Sequence, residues 1–193
     1  MTVGVAVFDF DSTLIQQESM AMFLRAIAGQ TYFTGCGVAG FKALGVAPGN
    51  RRDRFRAELL NWALAGKSLL QAEQAAERIF TKLDWIAPIL DALRQHQAQG
   101  HLILVATGSL SIYMPTLLAL KDLRVNGLLT TEMVVEGDVI TGQMATRSCT
   151  GPEKARRVKE WLGEENTPIW GYGNLPYDEA MLKLTDYPTV VPI

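Results

Sequence analysis

The chain has 193 residues, a formal net charge of −2 and a hydrophobic content of 48%. This composition excludes disordered and low-complexity proteins, because there is enough apolar surface to offset the entropy lost on folding. The near-neutral charge argues against nucleic acid as a partner. The two cysteines, Cys36 and Cys149, are too few for a disulfide framework and favour a reducing, cytoplasmic location.

We expect neither a targeting segment nor a membrane span. The first residues, MTVGVAVFDFDSTL, lack a basic start and soon reach acidic residues, which is unlike a signal peptide. Every apolar run is shorter than the roughly 18 residues that a span requires. The sequence makes no prediction about oligomeric state.

The first part of the chain combines one strand with a long helical block. Residues 2–8 form a short Val-rich run, which is typical of a buried parallel strand. Residues 29–49 are rich in glycine and are predicted to be a loose stretch, with a short helix at most over 41–44. Helices are predicted over 19–28, 51–65 and 68–83, with Asn50 and Ser68 as N-caps.

From Asp84 onward, helices and strands alternate. Helices are predicted over 86–99, 110–121, 153–162 and 179–184. Strands are predicted over 101–106, 128–135, 139–144, 168–172 and 189–191, with a hairpin at 136–138. This alternation predicts an α/β fold with a parallel sheet and a helical insertion after its first strand.

Two acidic residues, Asp9 and Asp11, follow the first strand. Side chains two positions apart point the same way, and ligands of open α/β sheets bind beyond the carboxyl ends of the strands. Two carboxylates at one site repel each other unless a proton or a cation such as Mg²⁺ offsets their charge. We interpret Asp9 as a nucleophile that forms an acyl-phosphate, and Asp11 as general acid and then base. An Asx turn or a helix cap is the structural alternative.

The segment DFDSTL at 9–14 resembles the first motif of haloacid-dehalogenase-type (HAD) phosphatases, in the subfamily IB branch that contains phosphoserine phosphatases. This resemblance implies a Mg²⁺-dependent phosphomonoesterase that hydrolyses a small-molecule phosphate ester through an aspartyl-phosphate. It also implies a three-layer, Rossmann-like parallel sheet. Residues 1–15 and 84–193 would form this core, and residues 16–83 an inserted helical cap.

Two further segments resemble the family's phosphate-binding motifs. Thr107, Gly108 and Ser109 lie between a predicted strand and a predicted helix, where a hydroxyl and free amides can bind an anion. The resemblance makes Thr107 the phosphate-binding hydroxyl. Lys154, near a helix start, resembles the lysine that contacts both the phosphate and the nucleophile.

The segment GYGNLPYDEAML at 171–182 resembles the fourth motif, but Asn174 stands where the family has its first acidic residue. The resemblance implies Asp9, Asp11, Asn174 and Asp178 as metal ligands. Asn174 can offer a carbonyl oxygen but no charge, so that we expect weaker Mg²⁺ binding.

Three cap residues are candidate substrate contacts. Glu18 lies nine residues after Asp9, the spacing at which phosphoserine phosphatases carry a glutamate that contacts the substrate's amino group. An exposed acid beside a helix start fits Glu18 equally well. Arg52 and Arg56 share a helix face and would contact an anionic substrate, although a solvated helix face is the more common use of such a cluster.

Other functions remain open at this point. The hairpin region also resembles lipid-phosphate members of the branch, which makes a lipid-headgroup phosphatase an alternative. Asn174 suggests a catalytically weakened phosphate-binding protein. A receiver-like signalling domain is disfavoured by the insertion after the first strand. The GxGxxG match at 35–40 indicates a cap loop rather than a dinucleotide site, and His96 and His101 are expected to be structural.

Overall fold

The computed structural model describes residues 3–47, 51–164 and 167–192, so the predicted N-cap Asn50 lies outside these ranges. The described strands are β1 (Val5–Phe8), β2 (Lys67–Ser68), β3 (Leu102–Leu110), β4 (Gly127–Thr131), β5 (Met133–Glu136), β6 (Val139–Met144), β7 (Ile169–Gly173) and β8 (Tyr187–Val190). The described helices are α1 (Ser19–Ala28), α2 (Thr31–Leu44), α3 (Arg51–Leu64), α4 (Leu69–Phe80), α5 (Ala87–Ala98), α6 (Met114–Leu120), α7 (Gly151–Leu162) and α8 (Glu179–Leu182). None of them is long and apolar enough to cross a membrane.

A five-stranded parallel sheet, in the order β4-β3-β1-β7-β8, forms the centre of the fold. In β1, Val7 pairs with Leu104 of β3 on one side and with Gly171 of β7 on the other. The carboxyl ends of β1, β3 and β7 therefore meet at the same edge. This arrangement confirms the predicted α/β class with a parallel sheet.

Alternation along β1 builds two apolar layers. Ala6 and Phe8 belong to the larger core cluster, which also contains Leu93 of α5 and residues of α1, α3 and α4. Val5 and Val7 point to the opposite face, where they pack with side chains of α7 and α8. Because both faces of the sheet are covered by helices, β1 is an uninterrupted apolar run.

The predicted loose stretch at 29–49 is wrong, since α2 spans Thr31–Leu44. Its small residues Gly35, Ala39 and Ala43 are buried and pack towards α3. A Cβ atom on Gly35 would lie 2.4 Å from Cδ1 of Trp62, so that only glycine allows this close approach. The glycines that suggested a loop instead allow close helix packing, and the GxGxxG match lies within this helix.

The segment predicted as one strand over 128–135 is two strands. β4 ends at Thr131 in the parallel sheet, and β5 begins at Met133 and pairs antiparallel with β6. The predicted hairpin is present, with Gly137 at a φ of 59°. β6 also pairs with β2, so that this hairpin packs against the helical block. The division into core and cap stays a prediction.

Candidate active site

The predicted site residues meet at the carboxyl edge of the parallel sheet, around a cavity of about 380 Å³. All but one of them line this cavity: Asp9, Asp11, Glu18, Arg52, Arg56, Gly108, Ser109, Lys154, Asn174 and Asp178. Thr107 is fully buried and does not line it. Because β1, β3, α7, β7 and the helical block all contribute, residues far apart in sequence share one site.

Lys154 joins two carboxylates at the base of the cavity. Its Nζ atom lies 2.6 Å from Oδ1 of Asp9 and 2.6 Å from Oδ1 of Asp178. The Asp9 carboxylate also accepts a hydrogen bond from Thr13 Oγ1 at 3.1 Å. All three charged side chains are buried, so each depends on the others for compensation.

Burial and charge act on these groups in opposite directions. Burial is the largest influence on the pKa of Asp9 and raises it, while the Lys154 ammonium opposes this rise. Burial alone would lower the pKa of Lys154, but Asp9 and Asp178 together raise it. Lys154 is therefore held as an ammonium ion, which opposes the rise in the pKa of Asp9.

Asp11 is oriented by a cluster of hydroxyl groups. Its Oδ2 atom accepts a hydrogen bond from Ser109 Oγ at 2.6 Å, and its Oδ1 accepts one from the Ser19 backbone N–H at 2.7 Å. Ser19 Oγ lies 3.0 Å from both Ser109 Oγ and Tyr113 Oη. The next residue, Ser12, has a φ of 57°, which few non-glycine residues adopt and which turns the chain sharply.

These contacts place Asp11 at the N-terminus of α1. The surroundings of Asp11 raise the pKa of its carboxyl group. Burial is the largest cause, and the hydrogen bonds from Ser109 and Ser19 partly offset it. A raised pKa suits a carboxyl group that donates a proton. Sequence reasoning missed Ser19 and Tyr113. Ser19 could have been recognised, because it is the first residue of a predicted helix and follows the acidic residues Asp11 and Glu18. Nothing in the sequence around Tyr113 indicated that it belongs to the site.

The segment 107–109 is part of β3 rather than a loop after it. Thr107 Oγ1 accepts a hydrogen bond from the Ser109 backbone N–H at 3.1 Å. A Cβ atom on Gly108 would lie 2.6 Å from Cγ2 of Thr150, so that glycine permits close approach of the chain that leads into α7. Phosphate binding by Thr107 stays a prediction.

Asn174 and Asp178 are tied together at the end of β7. Asp178 Oδ2 accepts a hydrogen bond from the Asn174 backbone N–H at 3.0 Å. Asp9, Asp178 and Asn174 bring two carboxylates and one amide oxygen to the cavity. Oxygen donors of this kind are those that Mg²⁺ prefers, so the donor set fits the metal.

The oxygens of Asp11 accept hydrogen bonds from Ser109 and Ser19, just as those of Asp9 and Asp178 are engaged by neighbouring groups. Over 3–47, 51–164 and 167–192, no group of three or more His, Cys, Asp or Glu side chains is arranged to hold a metal ion. Asp9, Asp11, Asn174 and Asp178 nevertheless line one cavity, and their role as metal ligands stays a prediction in which the amide oxygen of Asn174 takes part.

The helical block supplies the opposite wall of the cavity. Glu18 accepts a hydrogen bond from Ser12 Oγ at 3.3 Å, and burial followed by the Asp11 charge raises its pKa. Arg52 lies over the ring of Tyr177, 5.8 Å from its centroid. This wall therefore combines one carboxylate with a guanidinium group, and sequence reasoning missed Tyr177.

Arg56 is the more deeply placed of the two arginines. Its Nη2 atom donates to the Gly108 carbonyl at 2.6 Å and contacts Met20 Sδ at 3.4 Å. Its Nε atom is buried without a hydrogen-bond partner among the described residues. Burial lowers the pKa of the guanidinium, and the charge of Arg52 adds to this effect. Arg56 thus links the helical block to β3.

The two histidines contact each other away from the cavity. His96 Nε2 lies 2.9 Å from Tyr172 Oη, and its Nδ1 lies 2.8 Å from Nδ1 of His101. Burial lowers the pKa of His96, with a smaller effect of His101 in the same direction. Neither ring lines the cavity.

Comparisons with known proteins bear on the family and the fold of this chain. A family model described as haloacid dehalogenase-like hydrolase matches residues 6–183. No curated protein matches the chain by sequence. The fold is similar to a protein of unknown function from Bordetella pertussis Tohama I, with a TM-score of 0.73, 17% identity, and coverage of 98% of this chain and 90% of that one.

Two other solved structures carry more specific descriptions. One is a phospho-aspartyl intermediate analogue of phosphoserine phosphatase, with a TM-score of 0.63 and 14% identity over 98% of this chain and 87% of that one. The other is a phosphoserine phosphohydrolase-like protein from Francisella tularensis SCHU S4, with a TM-score of 0.60 and 13% identity over 97% and 95%. At such identities the likeness shows the fold alone.

Proposed function

The chain belongs to the haloacid dehalogenase-like hydrolase family, and on this premise we propose that it is a Mg²⁺-dependent phosphomonoesterase acting through an aspartyl-phosphate. The observation that carries the proposal is the Asp9–Lys154–Asp178 cluster, with the hydroxyl-held Asp11 at the same cavity. It combines a buried carboxylate nucleophile, a fixed cation and a second carboxyl group whose pKa is raised.

In the first step, a carboxylate oxygen of Asp9 attacks the phosphorus atom, and the bond from phosphorus to the ester oxygen breaks. The leaving alcohol oxygen takes its proton from Asp11, whose raised pKa favours the protonated form. The product of this step is an acyl-phosphate on Asp9. Lys154 stabilises the charge of Asp9 before attack and that of the phosphoryl oxygens during it.

In the second step, Asp11 is a carboxylate and takes a proton from water as the water oxygen attacks phosphorus. The bond from phosphorus to the Asp9 oxygen breaks, so that phosphate leaves and Asp9 is restored. Ser109 and Ser19 hold Asp11 in place through both steps. Mg²⁺ bound by Asp9, Asp178 and Asn174 would supply positive charge to the phosphoryl oxygens.

The substrate is proposed to be a small phosphate ester of the kind that phosphoserine phosphatases cleave. Glu18 offers a contact for a cationic amine, whereas Arg52 and Arg56 offer positive charge to an anionic group. We propose that residues 16–83 act as a cap that closes over the site and excludes bulk water.

One observation favours a second candidate function, a phosphate-binding protein with weakened catalysis. Asn174 brings no charge to the metal site, and Lys154 already satisfies one oxygen each of Asp9 and Asp178. A weakly held metal would leave phosphate binding intact while it slows phosphoryl transfer.

Hydrolysis of p-nitrophenyl phosphate, measured with and without Mg²⁺, separates the two functions. We expect metal-dependent release of nitrophenol that is lost in Asp9→Asn. A folded protein that binds inorganic phosphate by calorimetry but shows no turnover with any divalent metal would support the binding function. A screen of phosphorylated metabolites, including phosphoserine and phospholipid headgroups, then identifies the substrate.

A further inference from the structure

Helix α2 presents an apolar face that no described residue covers. Phe33, Phe41 and Leu44 are 63%, 78% and 65% exposed, which makes them the most exposed large hydrophobic side chains among the described residues. At helical spacing they share one side with Gly37 and Gly40. A Cβ atom on either glycine would meet nothing within 4 Å, so that this side is open.

This face lies roughly opposite the packed side of the helix. Gly35, Ala39 and Ala43 are buried towards α3, about half a turn away from Phe33 and Leu44. The only charged residue in the 14-residue helix is Lys42. Contiguous exposed apolar surface of this kind marks an interaction site more often than a solvated surface.

The segment of the chain that contains α1, α2 and α3 is positively charged, although the chain as a whole carries −2. Residues 19–64 contain six basic and two acidic residues, whereas the rest of the chain contains 12 basic and 18 acidic residues. Arg25 lies directly at the apolar face, with its Cζ atom 5.3 Å from the centroid of the Phe33 ring. An apolar helix face beside basic side chains is complementary to an anionic lipid surface.

We propose that this α2 face, defined by Phe33, Gly37, Gly40, Phe41 and Leu44, docks peripherally on anionic membranes. The apolar side chains would enter the boundary between headgroups and acyl chains, and Arg25 of α1 would contact lipid phosphates. A second copy of the chain is a poorer occupant, because two such positively charged surfaces repel each other.

The proposed docking surface is separate from the proposed active site, but α3 connects the two. Helix α3, which packs against α2, also supplies Arg52 and Arg56 to the cavity. Membrane attachment of α2 would thus hold the wall of the cavity near lipid-borne or interfacial substrates. The docking itself requires no catalysis, so that its test does not depend on phosphatase activity.

The test is sedimentation of the full chain with phosphatidylcholine vesicles, with or without phosphatidylserine. We expect binding only to the vesicles that contain phosphatidylserine, weakened by added salt. Phe41→Asp should lower partitioning by about tenfold or more, since it removes an inserted side chain and adds a repelled charge. The matched control is Leu70→Asp, at another exposed apolar position of the helical block, which should bind as the parent does.

Circular dichroism checks that both variants are folded. The proposal is overturned if the parent does not bind, if it binds both vesicle types equally, or if both variants lose binding to the same extent. It is also overturned if sedimentation velocity without lipid shows a dimer that Phe41→Asp abolishes, because the face would then join two copies of the chain.

Discussion

The Nζ atom of Lys154 lies 2.6 Å from Oδ1 of Asp9, and both side chains are nearly excluded from solvent. The two residues are 145 positions apart, one after the first strand and one in α7. Their contact joins the segment DFDSTL and the start of α7 into one site. It also makes the stability of the fold depend on a pair of groups that we propose to be catalytic.

Lys154→Met should destabilise the protein and abolish activity. The change leaves Asp9 and Asp178 buried without their shared cation, which typically costs about 3–5 kcal/mol of unfolding free energy. Urea denaturation at neutral pH measures this cost. Lys159→Met, an exposed position on the same helix, serves as the control. Equal unfolding free energies for the two variants would show that the buried cluster is not the source of stability.

Ser109→Ala should move the pH dependence of kcat/KM. The Ser109 hydrogen bond stabilises the carboxylate form of Asp11, so that its loss raises the pKa of Asp11 further. Because Asp11 donates its proton in the first step, the alkaline limb of the profile measured with an alkyl phosphate, whose leaving group needs an acid, should shift to higher pH. Ser111→Ala, whose hydroxyl accepts a bond from Met133 instead, should leave the limb in place. An unshifted limb in Ser109→Ala would reject Asp11 as the general acid.

Asn174→Asp should strengthen the response to Mg²⁺. A carboxylate at this position adds a negative charge to the oxygen donors that Asp9 and Asp178 already provide. We expect half-maximal activity at a Mg²⁺ concentration lower by about tenfold. Titration of p-nitrophenyl phosphate hydrolysis with Mg²⁺ measures the shift. An unchanged midpoint would mean that Asn174 is not a metal ligand.

Alanine substitutions at two glycines of α2 should change the stability of the protein in opposite directions. At Gly35 the new methyl group would lie 2.4 Å from Cδ1 of Trp62, so that Gly35→Ala should destabilise the fold. At Gly37 the space is open, and Gly37→Ala should stabilise the helix by roughly 0.5–1 kcal/mol. Thermal unfolding measures the melting temperatures of both variants, and we expect that of Gly35→Ala to be lower than that of Gly37→Ala. Similar melting temperatures would contradict the packing of α2 against α3.

Local patterns predicted the parallel sheet and the convergence of Asp9 and Asp11, and the resemblance to the HAD phosphatase motifs supplied most of the other cavity residues. Asp9, Lys154 and Asp178 each follow a strand or begin a helix, and parallel strands bring such positions to one edge. Tyr113 could not be predicted, since its contact with Ser19 depends on the packing of distant segments. Helix α2 was missed because glycine lowers helix propensity, whereas here the close packing of Gly35 against Trp62 outweighs that cost.

Acid quench and peptide mass analysis of Asp11→Asn would show whether Asp9 carries the phosphoryl group. With p-nitrophenyl phosphate the leaving group needs no acid, but the second step lacks its base, so that the intermediate should accumulate. We expect a burst of nitrophenol and a phosphoryl group on the peptide that contains Asp9. Absence of the adduct, together with parent-like turnover in Asp9→Asn, would contradict it.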